Sequence, residues 1–192
     1  MNGNDATSFG TGLCYEDVLP LRWRRSDDAH SLARSLAINL GNEQLLRHLA
    51  AVDEFRGEGG EDDSQTAHDL HRLESKLDLL IDLIGELLTR QADLPVAAPV
   101  RLCAETLVWT CAPGAAPATG DFIEADVFLS PRYPRPLVIF GVIESVQAED
   151  DGRARVSLRY RELSAGVRSA LEKTIFRQHR RMVAQARQGS RR

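Results

Sequence analysis

Leu19, Leu21 and Trp23 alternate with Pro20, Arg22 and Arg24, a period of two that predicts a short extended segment over residues 13–25. The period then changes. Ser26 or Asp27 is a good N-cap, and Leu32, Ala33, Leu36 and Leu40 recur at helical spacing up to Gly41, where a C-cap is natural. Asn42 is placed to cap a second helix with Leu45, Leu46, Leu49 and Val52 on its apolar face. Residues 57–64, Gly-Glu-Gly-Gly-Glu-Asp-Asp-Ser, read as a flexible acidic linker.

The strongest periodicity lies between about residues 65 and 91. Leu70, Leu73, Leu77, Leu80, Ile84 and Leu87 alternate spacings of three and four, the a/d pattern of a coiled coil over about three heptads. With Leu70 as a, Ile81 and Leu88 fall at e and Leu83 at g, so the apolar stripe is wider than one partner helix covers. Leu70, Leu73, Leu77, Leu80, Ile81, Ile84, Leu87 and Leu88 are therefore the expected oligomerisation residues, in a bundle of three or four helices with a tetramer the leading expectation. The alternative is a long helix lying on its own protein's core. Length favours the bundle, since some 27 residues at about 1.5 Å each make a rod of roughly 40 Å, longer than a small domain covers.

Pro95 and Pro99 end that helix, and short strands follow. Residues 100–111 predict two strands about a bend near Ala104-Glu105, 120–129 alternates as a half-buried strand, and 130–136 is an exposed turn. Residues 137–147 and 153–160 pair across a hairpin turn at 149–152. Ser164 opens a final helix with Val167, Leu171, Ile175 and Met182 in a loose stripe. The class is α+β, with a small antiparallel barrel interrupted by helices.

At 192 residues, two separate large domains are excluded. The net charge of −4 excludes a protein that binds nucleic acid through bulk positive charge, but it conceals a split. Residues 164–192 carry eight basic residues against Glu172 alone, +7, which leaves −11 on residues 1–163. That basic end reads either as a nucleic-acid or acidic-lipid surface or, favoured because only Phe176 interleaves with the arginines, as a solvated face offsetting the acidic remainder. Nucleic acid is not an expected partner. No apolar run is long enough to span a bilayer and residues 1–12 have no apolar signal core, so a cytoplasmic chain without a membrane span is expected. Cys14, Cys103 and Cys111 are odd in number and lack C-x-x-C spacing, and reduced, mostly buried cysteines are the expectation.

Taken in order, Pro-Leu-Arg-Trp-Arg-Arg (20–25), Val-Arg-Leu-Cys-Ala-Glu-Thr-Leu-Val-Trp (100–109), Gly-Asp-Phe-Ile-Glu-Ala-Asp-Val-Phe-Leu-Ser-Pro (120–131) and Leu-Val-Ile-Phe-Gly-Val-Ile (137–143) resemble the PilZ domain. The resemblance implies a six-stranded antiparallel barrel closed by a C-terminal helix, formed by 13–25 and 97–187. Residues 26–93 are then a helical, coiled-coil insertion, and 1–12 and 188–192 flexible termini. It also implies a ligand, cyclic di-GMP, received in that family by an R-x-x-x-R pair and by D/N-x-S-x-x-G on the barrel. Guanidinium groups suit two phosphates and stackable guanines. Arg22, Arg24 and Arg25 are the candidate arginines, but Ser26, Asp28 and Ala29 follow them at the motif spacing. Arg101 stands at the D/N position, Cys103 at the serine and Thr106 at the glycine, which reverses a charge, weakens a hydrogen-bonding group and adds a β-carbon where the backbone must approach closely. True R-x-x-x-R spacings occur only at Arg155/Arg159, Arg177/Arg181 and Arg187/Arg191, away from the family's place for the motif.

The expectation is a degenerate PilZ protein. It is a non-enzymatic signalling adaptor, oligomerised by its heptad helix, that regulates bacterial surface behaviour (motility, pili, virulence) through an unidentified protein partner, with cyclic di-GMP binding lost or weak. The alternative is a cyclic di-GMP receptor using Arg22, Arg24 and Arg25. No cofactor and no metal are expected: His68 and His71 fall at the solvated f and b heptad positions, and no phosphate loop or activated cysteine is present.

Overall fold

The fold is given by a computed structural model, which describes residues 13–26, 32–55, 94–130 and 133–189, together with 72–73, 75–77, 79–81 and 83–87. Among the described residues there are six strands: β1 (Cys14–Arg25), β2 (Ala97–Cys103), β3 (Thr106–Cys111), β4 (Phe122–Val127), β5 (Leu137–Ala148) and β6 (Ala154–Arg161). They form a closed barrel in the order β1-β2-β3-β6-β5-β4, every pair antiparallel. Closure depends on β1, which pairs with β2 through Pro20 and with β4 from Leu21 onward. Pro20 has no N–H to give either ladder, and its carbonyl accepts from the Phe128 amide at 3.0 Å where the strand changes partner.

The predicted strands, the β2–β3 bend and the barrel all stand. Trp109, Leu102, Leu107, Ile123, Leu137, Ile139 and Leu158 fill the interior with almost no exposure. Gly141 on β5 is required by close approach, because a Cβ there would run into the Arg159 carbonyl and the Leu158 side chain. Helix α1 (Leu32–Phe55) and helix α2 (Ala165–Gly189) close the barrel, contributing buried Leu45 and Leu46, and Val167, Leu171 and Ile175. Ser164 caps α2 as expected, its hydroxyl accepting from the Val167 amide at 3.2 Å.

Three expectations are corrected. The helix does not break at Gly41: α1 is continuous from Leu32 to Phe55. Gly41 instead leaves room for the Arg135 guanidinium, which lies 2.6 Å from where a Cβ would stand. Asn42 is not a cap but a buried dock, its amide donating to the Val138 carbonyl at 2.7 Å and accepting from the Val138 amide at 3.0 Å. Second, Leu32, Leu36 and Leu40 are not core residues; they are 84, 64 and 61% exposed. The first half of α1 is held by polar groups instead. Arg34 donates to Glu124 at 2.7 Å, Ser35 to the Glu162 carboxylate at 2.5 Å and Asn39 to the Glu162 carbonyl at 2.9 Å, while the Ser164 amide donates to Asn39 at 2.9 Å. Third, Cys14 and Cys103 are not free thiols but a disulfide, leaving Cys111 buried and reduced. They face each other across the first β1–β2 pair with Cα atoms 4.3 Å apart, the close spacing of a non-hydrogen-bonded antiparallel pair.

Of the predicted 130–136 turn, the described residues Ser130, Tyr133, Pro134 and Pro136 are half-buried, and the Tyr133 ring tilts against His48 of α1 at 4.8 Å between centroids. The described part of 72–87 is helical throughout. Leu73, Leu77, Leu80, Ile81, Ile84 and Leu87 are 40–58% exposed, and Leu79 and Leu83 are exposed beside them. Leu70 and Leu88 lie outside the described residues.

Candidate functional site

The arm arginines stand on the second half of β1, where the register sets them against acids of β4: Arg22 opposite Asp126, Arg24 opposite Glu124. Arg22 Nε bonds Asp126 Oδ2 at 2.8 Å, Arg24 bonds Glu124 Oε1, and Arg25 Nε bonds Asp121 Oδ2 at 2.9 Å. Glu124 also receives Arg34 from α1, so one buried carboxylate holds two guanidinium groups. The carboxylates are the buried members and the guanidinium groups face outward. A phosphate drawing Arg22 and Arg24 away would take that partner from the buried Asp126 and leave Glu124 with Arg34 alone, a cost on the order of 3–5 kcal/mol for a fully desolvated pair and less here because the arginines are exposed. At the end of this row the Ala118 amide, and then Arg25, hold the Asp121 carboxyl below the usual carboxylate range.

The second motif lies elsewhere. Arg101 pairs with Glu16 (Nε to Oε1, 3.2 Å), and Cys103 is bonded to Cys14. Thr106 and Cys103 present their carbonyls to the Tyr160 hydroxyl at 2.7 and 3.0 Å, and the Tyr160 amide donates to the Glu105 carbonyl at 3.0 Å. Tyr160 thus grips the β2–β3 bend from inside, and burial pushes its phenol far up, so it stays protonated and keeps donating. Because Arg101 is opposite Glu16, the motif face and Arg22 are separated by six residues of β1, about 20 Å at 3.3 Å per residue. The arginine cluster and the second-motif cluster are not brought together into one pocket.

The alternative arginine pairs are matched as well where described. Arg155 meets Glu149 at 2.8 Å, Arg159 bonds Glu144 and lies 3.3 Å from Glu105, and Arg177 bonds the Thr174 hydroxyl at 3.2 Å. Arg47, Lys173 and Arg177 stand with Ser169 around an open groove of about 380 Å³ between α1 and α2. Arg47 is tied there to Glu43, whose carboxylate rests against Gly166. Trp109 Nε1 donates to the Cys111 sulfur at 3.0 Å, and burial raises that thiol, an unreactive setting. Among the described residues no cluster of three metal-ligating side chains occurs, and His68 and His71 lie outside them. No helix among the described residues is long and apolar enough to cross a membrane.

The strand order, the closing C-terminal helix and the arm that changes partner at Pro20 define a small closed antiparallel barrel capped by helices. A family model described as an atypical PilZ domain, cyclic di-GMP receptor, matches residues 46–188. That is well over half of the chain, which therefore belongs to the atypical PilZ family. No curated protein matches the chain. Among solved structures, it is similar to a pathogenic protein from Xanthomonas campestris, described as a tetrameric PilZ domain self-assembled via an unusual helical bundle. The identity is 29% over 92% of this chain and 93% of that one, with a TM-score of 0.70. The Bacillus subtilis inhibitor of motility, MotI/DgrA, is matched at 17% identity over 44% of this chain and 42% of its own, with a TM-score of 0.38.

Proposed function

We propose that this chain is a non-enzymatic signalling adaptor of the PilZ type. It works as a homotetramer assembled by the 65–91 helix and acts through a protein partner to regulate surface behaviour such as motility, pili or virulence, with cyclic di-GMP binding lost or weak. The observation that carries this reading is the row of prior engagements: Arg22, Arg24 and Arg25 each hold a carboxylate of the β4 side, and Arg101 and Cys103 are tied to the start of β1. Assembly is supported by the row of exposed leucines and isoleucines at heptad spacing and by the likeness to a Xanthomonas protein described as self-assembled through a helical bundle. Several copies held together raise avidity for a partner without any new contact.

Titration calorimetry with cyclic di-GMP tests the ligand half of this reading; the expected result is no saturable heat at micromolar concentrations. The receptor reading is favoured by the description of the matching family and by the outward, half-exposed setting of the arm guanidinium groups. A micromolar or tighter constant in the wild type, lost on Arg22→Ala with Arg24→Ala, would establish that reading instead.

A further inference from the structure

We infer that Cys14 and Cys103 form a thiol–disulfide exchange site whose oxidised form latches the leading end of β1 onto β2 at the family's ligand-motif position. The bond is the first pair of a seven-pair ladder running from Cys14↔Cys103 to Pro20↔Ala97. The end of a ladder frays at almost no free-energy cost, so a cross-link there changes local order more than one placed mid-strand. This ladder is also poor in donors, because Pro20 and Pro99 both lie in it and neither has an N–H. Besides the backbone bonds and the packing of Tyr15 and Leu19 on the core, it is held by Arg101 with Glu16, an exposed pair of small worth. The covalent bond is therefore the constraint that fixes the leading end of the strand at Cys14.

Both cysteines are only partly buried, unlike Cys111, and accessible disulfides are the labile and regulatory ones. The exchange balances with a dithiol as reductant. Its thiolate attacks one sulfur of the pair, the S–S bond breaks and a mixed disulfide forms with the other cysteine leaving as thiolate. The reductant's second thiolate then displaces the first cysteine, so two electrons pass to Cys14 and Cys103. The two protons the reductant's thiols gave up on ionising are taken up by those cysteines, and the reductant leaves as its cyclic disulfide. An oxidised dithiol of the same class reverses every step. Closed, the latch covers the position that in the resembling family belongs to a ligand-binding serine; open, it presents two thiols and frees the strand end, beside the exposed Leu13 and Val18.

The full chain is equilibrated in dithiothreitol buffers from fully reduced to fully oxidised, quenched in acid, alkylated under denaturing conditions and weighed. The expected result is a single two-electron transition between one label, on Cys111, and three, with no stable two-label form. Backbone hydrogen exchange over residues 14–18 should rise on the order of tenfold on reduction. In Cys14→Ser with Cys103→Ser it should sit at the reduced rate in every buffer. Labels gained one at a time, a pair still unbonded in the most oxidising buffer, or exchange over 14–18 unmoved by reduction would each overturn the latch. None of these outcomes depends on whether cyclic di-GMP binds or on the oligomeric state.

Discussion

The arm of β1 and the heptad segment are opposite cases. Along the arm the charged side chains meet partners that the fold itself supplies: Arg22 has Asp126, Arg24 has Glu124, Arg25 has Asp121 and Arg101 has Glu16. Along 72–87 the large apolar side chains face outward, although each would gain on the order of 1 kcal/mol from losing its remaining exposure. Unused interaction capacity marks where a second molecule is accommodated at low cost. In this chain it lies on an apolar helix and not on the arginines that the sequence offers as a ligand site, which is why assembly carries more of the proposed function than ligand capture.

The comparison breaks most visibly if the heptad helix is charged. Leu77→Glu with Leu80→Glu places two carboxylates in adjacent a and d layers, each strongly disfavoured in a buried seam. Light scattering should give the mass of a single chain in place of a multiple of it, with the far-UV signal of the barrel retained. An unchanged mass would remove the assembly argument. Next in size is Asn42→Ala. It strips both partners from the backbone of Val138, where β5 begins, and should cost about 2–4 kcal/mol in denaturant unfolding. A loss under 0.5 kcal/mol would mean that the apolar contacts of Leu45 and Leu46 alone hold α1 in place.

Much of the barrel was legible because strands announce themselves locally. Period-two alternation, the bend at Ala104-Glu105 and the hairpin at 149–152 each depend on a few adjacent residues. The errors share a different cause. Leu32, Leu36 and Leu40 have the spacing of a core stripe, but spacing does not say which face is docked, and Arg34, Ser35 and Asn39 meet partners more than 80 residues away in sequence. Gly41-Asn42 carries good local punctuation, overridden by a long-range match between Asn42 and Val138. The disulfide depends on the register between β1 and β2, separated by the whole helical region, so neither cysteine's spacing reveals it. For the site, the sequence marked the arginines as altered in motif; it could not show that β4 supplies a carboxylate opposite Arg22 and Arg24, since strand order is a tertiary fact.

A smaller effect sharpens the arm itself. Glu124→Gln keeps the shape while removing the charge that Arg24 and Arg34 share, and should destabilise the fold by about 1–3 kcal/mol, toward the lower end because both guanidinium groups reach solvent. The same substitution leaves Arg24 outward and without its carboxylate. If the arm is closed to cyclic di-GMP only by that engagement, the variant should show calorimetric binding where the wild type shows none; continued silence would place the loss in the altered second motif.

The smallest expected effect concerns acid. Asp121 is held below the ordinary carboxylate range by the Ala118 amide and then by Arg25, so in the folded chain it gives up its proton more readily than in the unfolded one. A depressed folded value means that the stability it contributes is fully present above the unfolded value near 3.9 and is lost as the pH falls from there through the folded value. Between neutral pH and about 5, Asp121→Asn should therefore run below the wild type in denaturant midpoint by a constant small amount, and the two curves should converge as the pH drops toward 3. Asparagine can still accept from the Ala118 amide through its carbonyl, so the convergence reports the charge that the Ala118 amide and Arg25 together favour, apart from the shape of the turn that Asp121 caps. Curves that stay parallel down to pH 3 would mean that the Asp121 charge, toward the Ala118 amide and Arg25 alike, contributes nothing on this exposed rim, and that the matched arm is held by Glu124 and Asp126.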